Sequence, residues 1–223
     1  MKTPISLAAL AFAVGSVQAA TPIPILNAGF EDVSDAIGRG NWQTINDWTE
    51  EPGPAASNTV YVDDNGTAWV PEASRTLYFG PGAVHQDLAH NWSIGDSFTL
   101  EMIAMNPTWH ANQGNTFKVQ LRQASDDTVL WDSGDQDVSA TVAAGPTYTG
   151  TGHIFSWNFD ASAFVTGSAG EQINIRIAHV SGGAVYADNV SLVVDSAVAA
   201  VPEPSTTALL GLGGLALVFR RRK

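Results

Sequence analysis

Apolar and polar positions alternate along much of this chain. Phe117, Val119 and Leu121 alternate with Lys118, Gln120 and Arg122, and Ile173, Ile175 and Ile177 alternate with Asn174, Arg176 and Ala178. A strand sends successive side chains to opposite faces, so each run predicts a half-buried strand with one face in a core. Less regular runs predict further strands over 59–62, 75–79, 83–88, 98–105, 128–132, 153–159 and 184–194. Turn chemistry separates them: Asp64-Asn65-Gly66, Gly80-Pro81-Gly82, Ile94-Gly95-Asp96, Ser125-Asp126-Asp127, Gly145-Pro146 and Ser181-Gly182-Gly183. Nowhere do apolar residues recur at helical spacing for three turns. Short strands with regular turns predict an all-β sandwich.

Two apolar segments stand outside that pattern. Lys2 precedes an apolar stretch from Ile5 to Val17, and Val17-Gln18-Ala19 offers small residues where a signal peptidase reads. This predicts a signal peptide over 1–20. At the other end, Val201-Pro202-Glu203-Pro204-Ser205 is followed by an apolar run from Ala208 to Phe219 and then Arg220-Arg221-Arg222-Lys223. The prolines hold the Glu203 segment extended, the apolar run partitions into a bilayer, and the terminal cations stay cytoplasmic. This order resembles the PEP-CTERM sorting signal of Gram-negative bacteria. The resemblance implies an exosortase that recognises Pro202, Glu203 and Pro204 in the membrane and releases the protein toward the surface. The tail then holds the inner membrane only transiently; an ordinary tail anchor is the alternative. The expected organisation is a signal peptide at 1–20, a sandwich domain at 21–195, a linker at 196–200 and the sorting signal at 201–223.

Charge and cysteine narrow the partners. The body from 21 to 200 carries five basic residues and 21 acids, a formal charge of −16. Such a surface repels nucleic acid and anionic headgroups. The chain has no cysteine, which removes thiolate catalysis and zinc thiolate sites.

Two segments refine the fold. Leu26-Asn27-Ala28-Gly29-Phe30-Glu31 opens the body and Tyr186-Ala187-Asp188-Asn189-Val190-Ser191-Leu192 closes it. With Asp47-Trp48, Val84-His85-Gln86-Asp87-Leu88 and Phe155-x-Trp157-x-Phe159 between them, this order resembles the galactose-binding-like jelly rolls, among them many carbohydrate-binding modules. The resemblance implies a jelly-roll β-sandwich. Asp188 shares its parity with Tyr186, Val190, Leu192 and Val194, so without a bulge it points inward, and a carboxylate there needs hydrogen-bond donors or a cation. Calcium suits it. In the resembling modules the acid of the opening and the aspartate of the closing strand help to hold a structural calcium, which implies Glu31 and Asp188 as Ca2+ ligands. The acids Asp126, Asp127, Asp132, Asp135 and Asp137 fail the spacing of a calcium loop and read as a solvated hairpin, as does Asp63-Asp64-Asn65-Gly66.

Seven tryptophans are present. Trp48, Trp131 and Trp157 lie in or beside strand patterns and read as buried. Trp109 sits in a polar loop from Asn106 to Asn115, flanked by His110 and Asn112, where an aromatic face and hydrogen-bonding groups meet. Trp69 is a second candidate of the same kind. No catalytic motif occurs, and the five histidines are spread singly. The function expected is therefore a non-catalytic exported surface or extracellular-matrix protein that binds glycan, the producer's exopolysaccharide foremost. The alternatives are a purely structural acidic matrix protein and a carbohydrate-active hydrolase or lyase.

Overall fold

The structure, a computed structural model, describes residues 19–32, 45–52, 60–63, 76–106, 113–138, 153–164 and 167–196; at 52 and 60–63 it describes the backbone alone. Ala20–Ser196 forms one compact unit, and Met1–Ala19 and Ala197–Lys223 fall outside it. The strands are β1 (Thr21–Ile23), β2 (Thr49–Pro52), β3 (Val60–Asp63), β4 (Thr76–Phe79), β5 (Gly82–Asn91), β6 (Ser97–Met105), β7 (Thr116–Gln123), β8 (Val129–Asp132), β9 (Gln136–Asp137), β10 (His153–Asp160), β11 (Gln172–Ser181) and β12 (Val185–Asp195). The first sheet runs β10-β6-β12-β4-β3 with β1 also on β12; the second runs β2-β5-β11-β7-β8 with β9 on β7. From β5 onward the chain crosses repeatedly between the two sheets, the winding of a jelly roll. The expected all-β sandwich is the fold observed.

The alternation builds the core as it predicts. Phe117, Val119 and Leu121 of β7 and Ile173, Ile175 and Ile177 of β11 are fully buried, and they face Phe98, Leu100 and Met102 of β6 and Leu192 and Val194 of β12. Each such side chain contributes about 1.5–3 kcal/mol by leaving water. The short strands β1, β2 and β9 have too few residues to show a period, and the alternation does not reveal them.

Two expectations need correction. A bulge interrupts β12 against β6 between Asp188 and Ser191. One extra residue shifts the phase, so Val185 and Ala187 join Val190, Leu192 and Val194 in the core, while Tyr186 and Asp188 take the other face. Asp188 is nonetheless buried, at 1% exposure. The second concerns tryptophan. Trp48 is buried as expected, stacked obliquely near Phe30 with centroids 5.2 Å apart, but Trp131 and Trp157 are only half-buried. They sit on β8 and β10, each at the end of its sheet's strand order, where no strand among the described residues finishes covering them.

Candidate functional site

The opening segment is wired into the body at one corner. Asn27 donates through Nδ2 to the carbonyls of Asp32 (2.7 Å) and Asn46 (2.9 Å), and its Oδ1 accepts the Asp32 amide. Gln86, buried on β5, accepts the Leu26 amide at 2.8 Å and donates to the carbonyls of Leu26 and Asp47. The Val190 amide, next to the bulge, donates to the Ala28 carbonyl at 3.1 Å. Asn27, Phe30, Asp47 and Asn189 all hold left-handed backbone here, with φ of 48°, 54°, 67° and 48°. That conformation is strained for a bulky residue such as Phe30, and such strain clusters where the surroundings over-determine it.

Gly29, two residues before Glu31, lies beside Asp188 at this corner. A Cβ on Gly29 would lie 3.6 Å from both Asp188 Oδ1 and Asn189 Oδ1 and 3.9 Å from Glu31 Cγ. The side-chain oxygens of Asp188 and Asn189 beside Gly29, at ordinary van der Waals distance, form a small cradle of hard donors, the kind that fits calcium. Asp188 Oδ1 also accepts the Asn189 amide at 2.7 Å. Among the described residues no group of three or more His, Asp or Glu gathers that could hold a metal, so ligands beyond these two acids would have to be carbonyl oxygens or water.

Trp109, His110 and Asn112 lie outside the described residues, as do Trp69 and the Pro202-Glu203-Pro204 motif. The base of the Trp109 loop is described. β6 ends at Met105 and β7 begins at Thr116, so the loop passes from one sheet to the other. Asn106 and Asn115 are buried at its two ends, and Asn115 Nδ2 donates to Asn106 Oδ1. Asn115 Oδ1 accepts the Gly183 amide at 2.5 Å. Gly182, at φ 91°, packs so close that a Cβ would fall 2.7 Å from Asn115 Cα. The loop therefore springs from a rigid clamp.

The solvent side of the second sheet holds a polar platform that the sequence reading did not assemble. Side chains of five strands that point away from the core meet there, Asn174 and Arg122 among them being buried: Glu51 of β2, His85 and Asp87 of β5, Asn174 and Arg176 of β11, Lys118, Gln120 and Arg122 of β7, and Asp132 of β8. Glu51 lies near its centre. Its Oε2 accepts from Arg176 Nε at 2.8 Å and its Oε1 from Arg122 Nη2 at 3.0 Å. His85 Nδ1 is 2.8 Å from Oε1, an ion-pair distance in a geometry that is not a hydrogen bond. Arg122 also donates to Asn174 Oδ1, whose Nδ2 donates to Asp87 at 2.7 Å. Arg176 Nη1 donates to Gln120 Oε1 at 3.1 Å, and Gln120 donates onward to Asp132 at 2.6 Å.

Burial pushes the Glu51 carboxyl up, but the Arg176 hydrogen bond and the charges of Arg176, Arg122 and His85 outweigh it and hold the group below its ordinary value. The acid stays ionised and the guanidinium groups stay fixed. Lys118, Arg122 and Arg176 are the basic residues of the described regions, and all three lie on this one face of an acidic body. By contrast, the first sheet's outer face carries a cavity of about 320 Å³ lined by Ser97, Thr99, Asn158, Asp160 and Asp195, with no cation among its lining.

The signal for the platform was present in part. Lys118, Gln120 and Arg122 and then Asn174 and Arg176 alternate with core residues on the two clearest strands. Their register, and Glu51 on a four-residue strand, were not legible. The hairpin acids behave as expected: Asp126 accepts the Thr128 amide at 3.0 Å, and Asp132 accepts the Gly134 amide at 2.7 Å. Asp127 and Asp135 add ion pairs to Arg122 and Lys118.

The comparisons with known proteins bear on the two ends of this picture separately. Residues 200–223 match the model of the PEP-CTERM protein-sorting motif. The chain carries that sorting signal. No curated protein matches the sequence. Among solved structures, the body resembles a Stig cyclase, Fisc from Fischerella sp. TAU, solved with (3Z)-3-(1-methyl-2-pyrrolidinylidene)-3H-indole. The TM-score is 0.60 at 20% identity, covering 80% of this chain and 100% of the cyclase. A CBM4 structure aligns at TM-score 0.45 and 14% identity over 77% of this chain and 100% of that one. TmCBM61, solved with β-1,4-galactotriose, aligns at 0.43 and 12% over 76% and 97%. The likeness to the cyclase is one of fold.

Proposed function

We propose that this is an exported surface or extracellular-matrix protein, processed by an exosortase-type enzyme, whose jelly-roll body binds glycan without catalysis. The observation that carries the reading is the platform centred on Glu51. Its donors and acceptors are fixed by one another across five strands, so a polyhydroxylated ligand meets a preorganised array. The three cations are balanced by neighbouring acids, which favours a neutral sugar chain over a highly charged polymer. Glu51 itself makes a poor general acid, because that role needs a carboxyl raised toward neutrality and Glu51 is held the other way. The sugar chain would run from the platform toward the Trp109 loop, which returns to the sheet at the start of β7, the strand of Lys118 and Gln120. Trp109 would stack on one ring, with His110 and Asn112 bonding hydroxyls; Trp69 is the next candidate for this role. Calcium held by Glu31 and Asp188 would fasten the chain's opening to its closing strand.

The test is retention on extracellular polysaccharide purified from the producing organism. Trp109→Ala abolishes retention and leaves thermal stability nearly unchanged. Gln120→Ala weakens it about tenfold, equivalent to about 1.4 kcal/mol. Full retention by both variants would contradict the reading.

A further inference from the structure

We infer that the body pairs with a second copy of itself through the outer edge of β10, the end of the first sheet among the described residues. Among the described residues, the strands that end the two sheet paths, β2, β3, β8 and β10, differ in how they treat incoming strands, and β1, off the path, has only three residues. β2 has four residues, carries Glu50 and Glu51 and ends in Pro52. β3 also has four and ends in Asp63. β8 has four, its register against β7 shifts between Leu121 and Arg122, and its neighbour β9 has two. Short length, charge, proline and bulges are the devices by which sheet edges avoid pairing. β10 has none of them between its ends. All eight of its residues pair with β6 without a register shift, and from Ile154 to Phe159 it holds no charge and no proline. Among the described residues no strand pairs with its outer side.

The side chains of β10 fit a copy of the same strand. An antiparallel pair about a two-fold axis at Ser156 or Trp157 keeps like faces together. On the core side it sets Phe155 against Phe159 or Trp157 of the copy, extending an aromatic row that is left half-buried here. That row already stacks within one copy, Phe155 on Trp157 at 5.9 Å and Phe159 on Trp131 at 4.0 Å. On the solvent side Ile154, 62% exposed, gains a neighbour, and Asp160 never faces its own copy. No like charges oppose each other in either register, so nothing repels. The first sheet then continues through both molecules, and each dimer presents two platforms. The inference stands on the edge alone and does not depend on what the platform binds.

The test uses the body, Ala20–Ser196, which is one compact unit whose core cluster lies between Ile23 and Val194. Sedimentation should give twice the monomer mass. In either register, Ser156→Asp with Asn158→Asp sets like charges opposite each other, and Ser156→Lys with Asn158→Lys does the same with the other sign. Each double variant should sediment as a folded monomer with a cooperative melt, and an equimolar mixture should restore the doubled mass. A monomeric wild type would overturn the inference whatever the variants do. So would a double variant as dimeric as the wild type, or a mixture that stays monomeric.

Discussion

His179 continues the inward row of Ile173, Ile175 and Ile177 and pairs across the sheet with Phe117. Its Nε2 is buried without a hydrogen-bond partner, and burial holds the imidazole below its ordinary value near 6.5. The unfolded chain therefore takes up this proton at a higher pH than the folded one. By linkage, the contribution of His179 to stability is full above about 6.5 and is lost as pH falls below it. The body should be less stable to urea at pH 5.5 than at pH 7.5, and His179→Leu should shrink that difference. Equal pH dependence in the variant and the wild type would contradict this. Glu51 has the same sign in a lower window: the cations around it hold its carboxyl below the ordinary 4.5, so its contribution is lost only under stronger acid. The inward place of His179 was legible, two residues past Ile177 in an unbroken alternation. The Glu51 cluster was not, since it depends on which strands lie side by side.

At the scale of elements, sequence reading reaches as far as a strand's own period. The long strands β5, β6, β7, β10, β11 and β12 appear in the alternation within about three residues of their ends. The bulge in β12 does not, because Asp188-Asn189-Val190 has nothing local to mark where one residue is added. It changes the face of Asp188 without exposing it. Burial follows instead from the opening segment, which packs Gly29 against Asp188 and Asn189. If calcium binds this cradle in the folded state alone, adding it at about 100 times its dissociation constant stabilises the body by about 2.7 kcal/mol. Melting in EDTA and then in millimolar calcium reads the effect, and Asp188→Asn should remove it. Identical melting temperatures in the two buffers would show that Asp188 is held by hydrogen bonds alone.

The whole molecule joins an acidic sandwich to a sorting tail of opposite charge. Among the described residues no helix is long and apolar enough to cross a membrane. The candidate segment lies in the tail, outside them. From Thr206 to Phe219 it counts 14 residues. As a helix these span about 21 Å, against a hydrocarbon core of about 30 Å. Such a segment spans only if its flanks snorkel or the bilayer thins, which suits a temporary stop better than a lasting anchor. Four cations at Arg220 to Lys223 would resist crossing, so a tail inserted this way would keep its end in the cytoplasm while the body passes through. Pro202-Glu203-Pro204 would then lie on the outer side of that membrane, within reach of a processing enzyme. Intact-mass measurement of the protein isolated from the host's surface should show a chain that ends near Pro202-Glu203-Pro204 and begins near Thr21. A surface product that still carries Phe219 and the terminal arginines would contradict processing and leave the tail as an anchor.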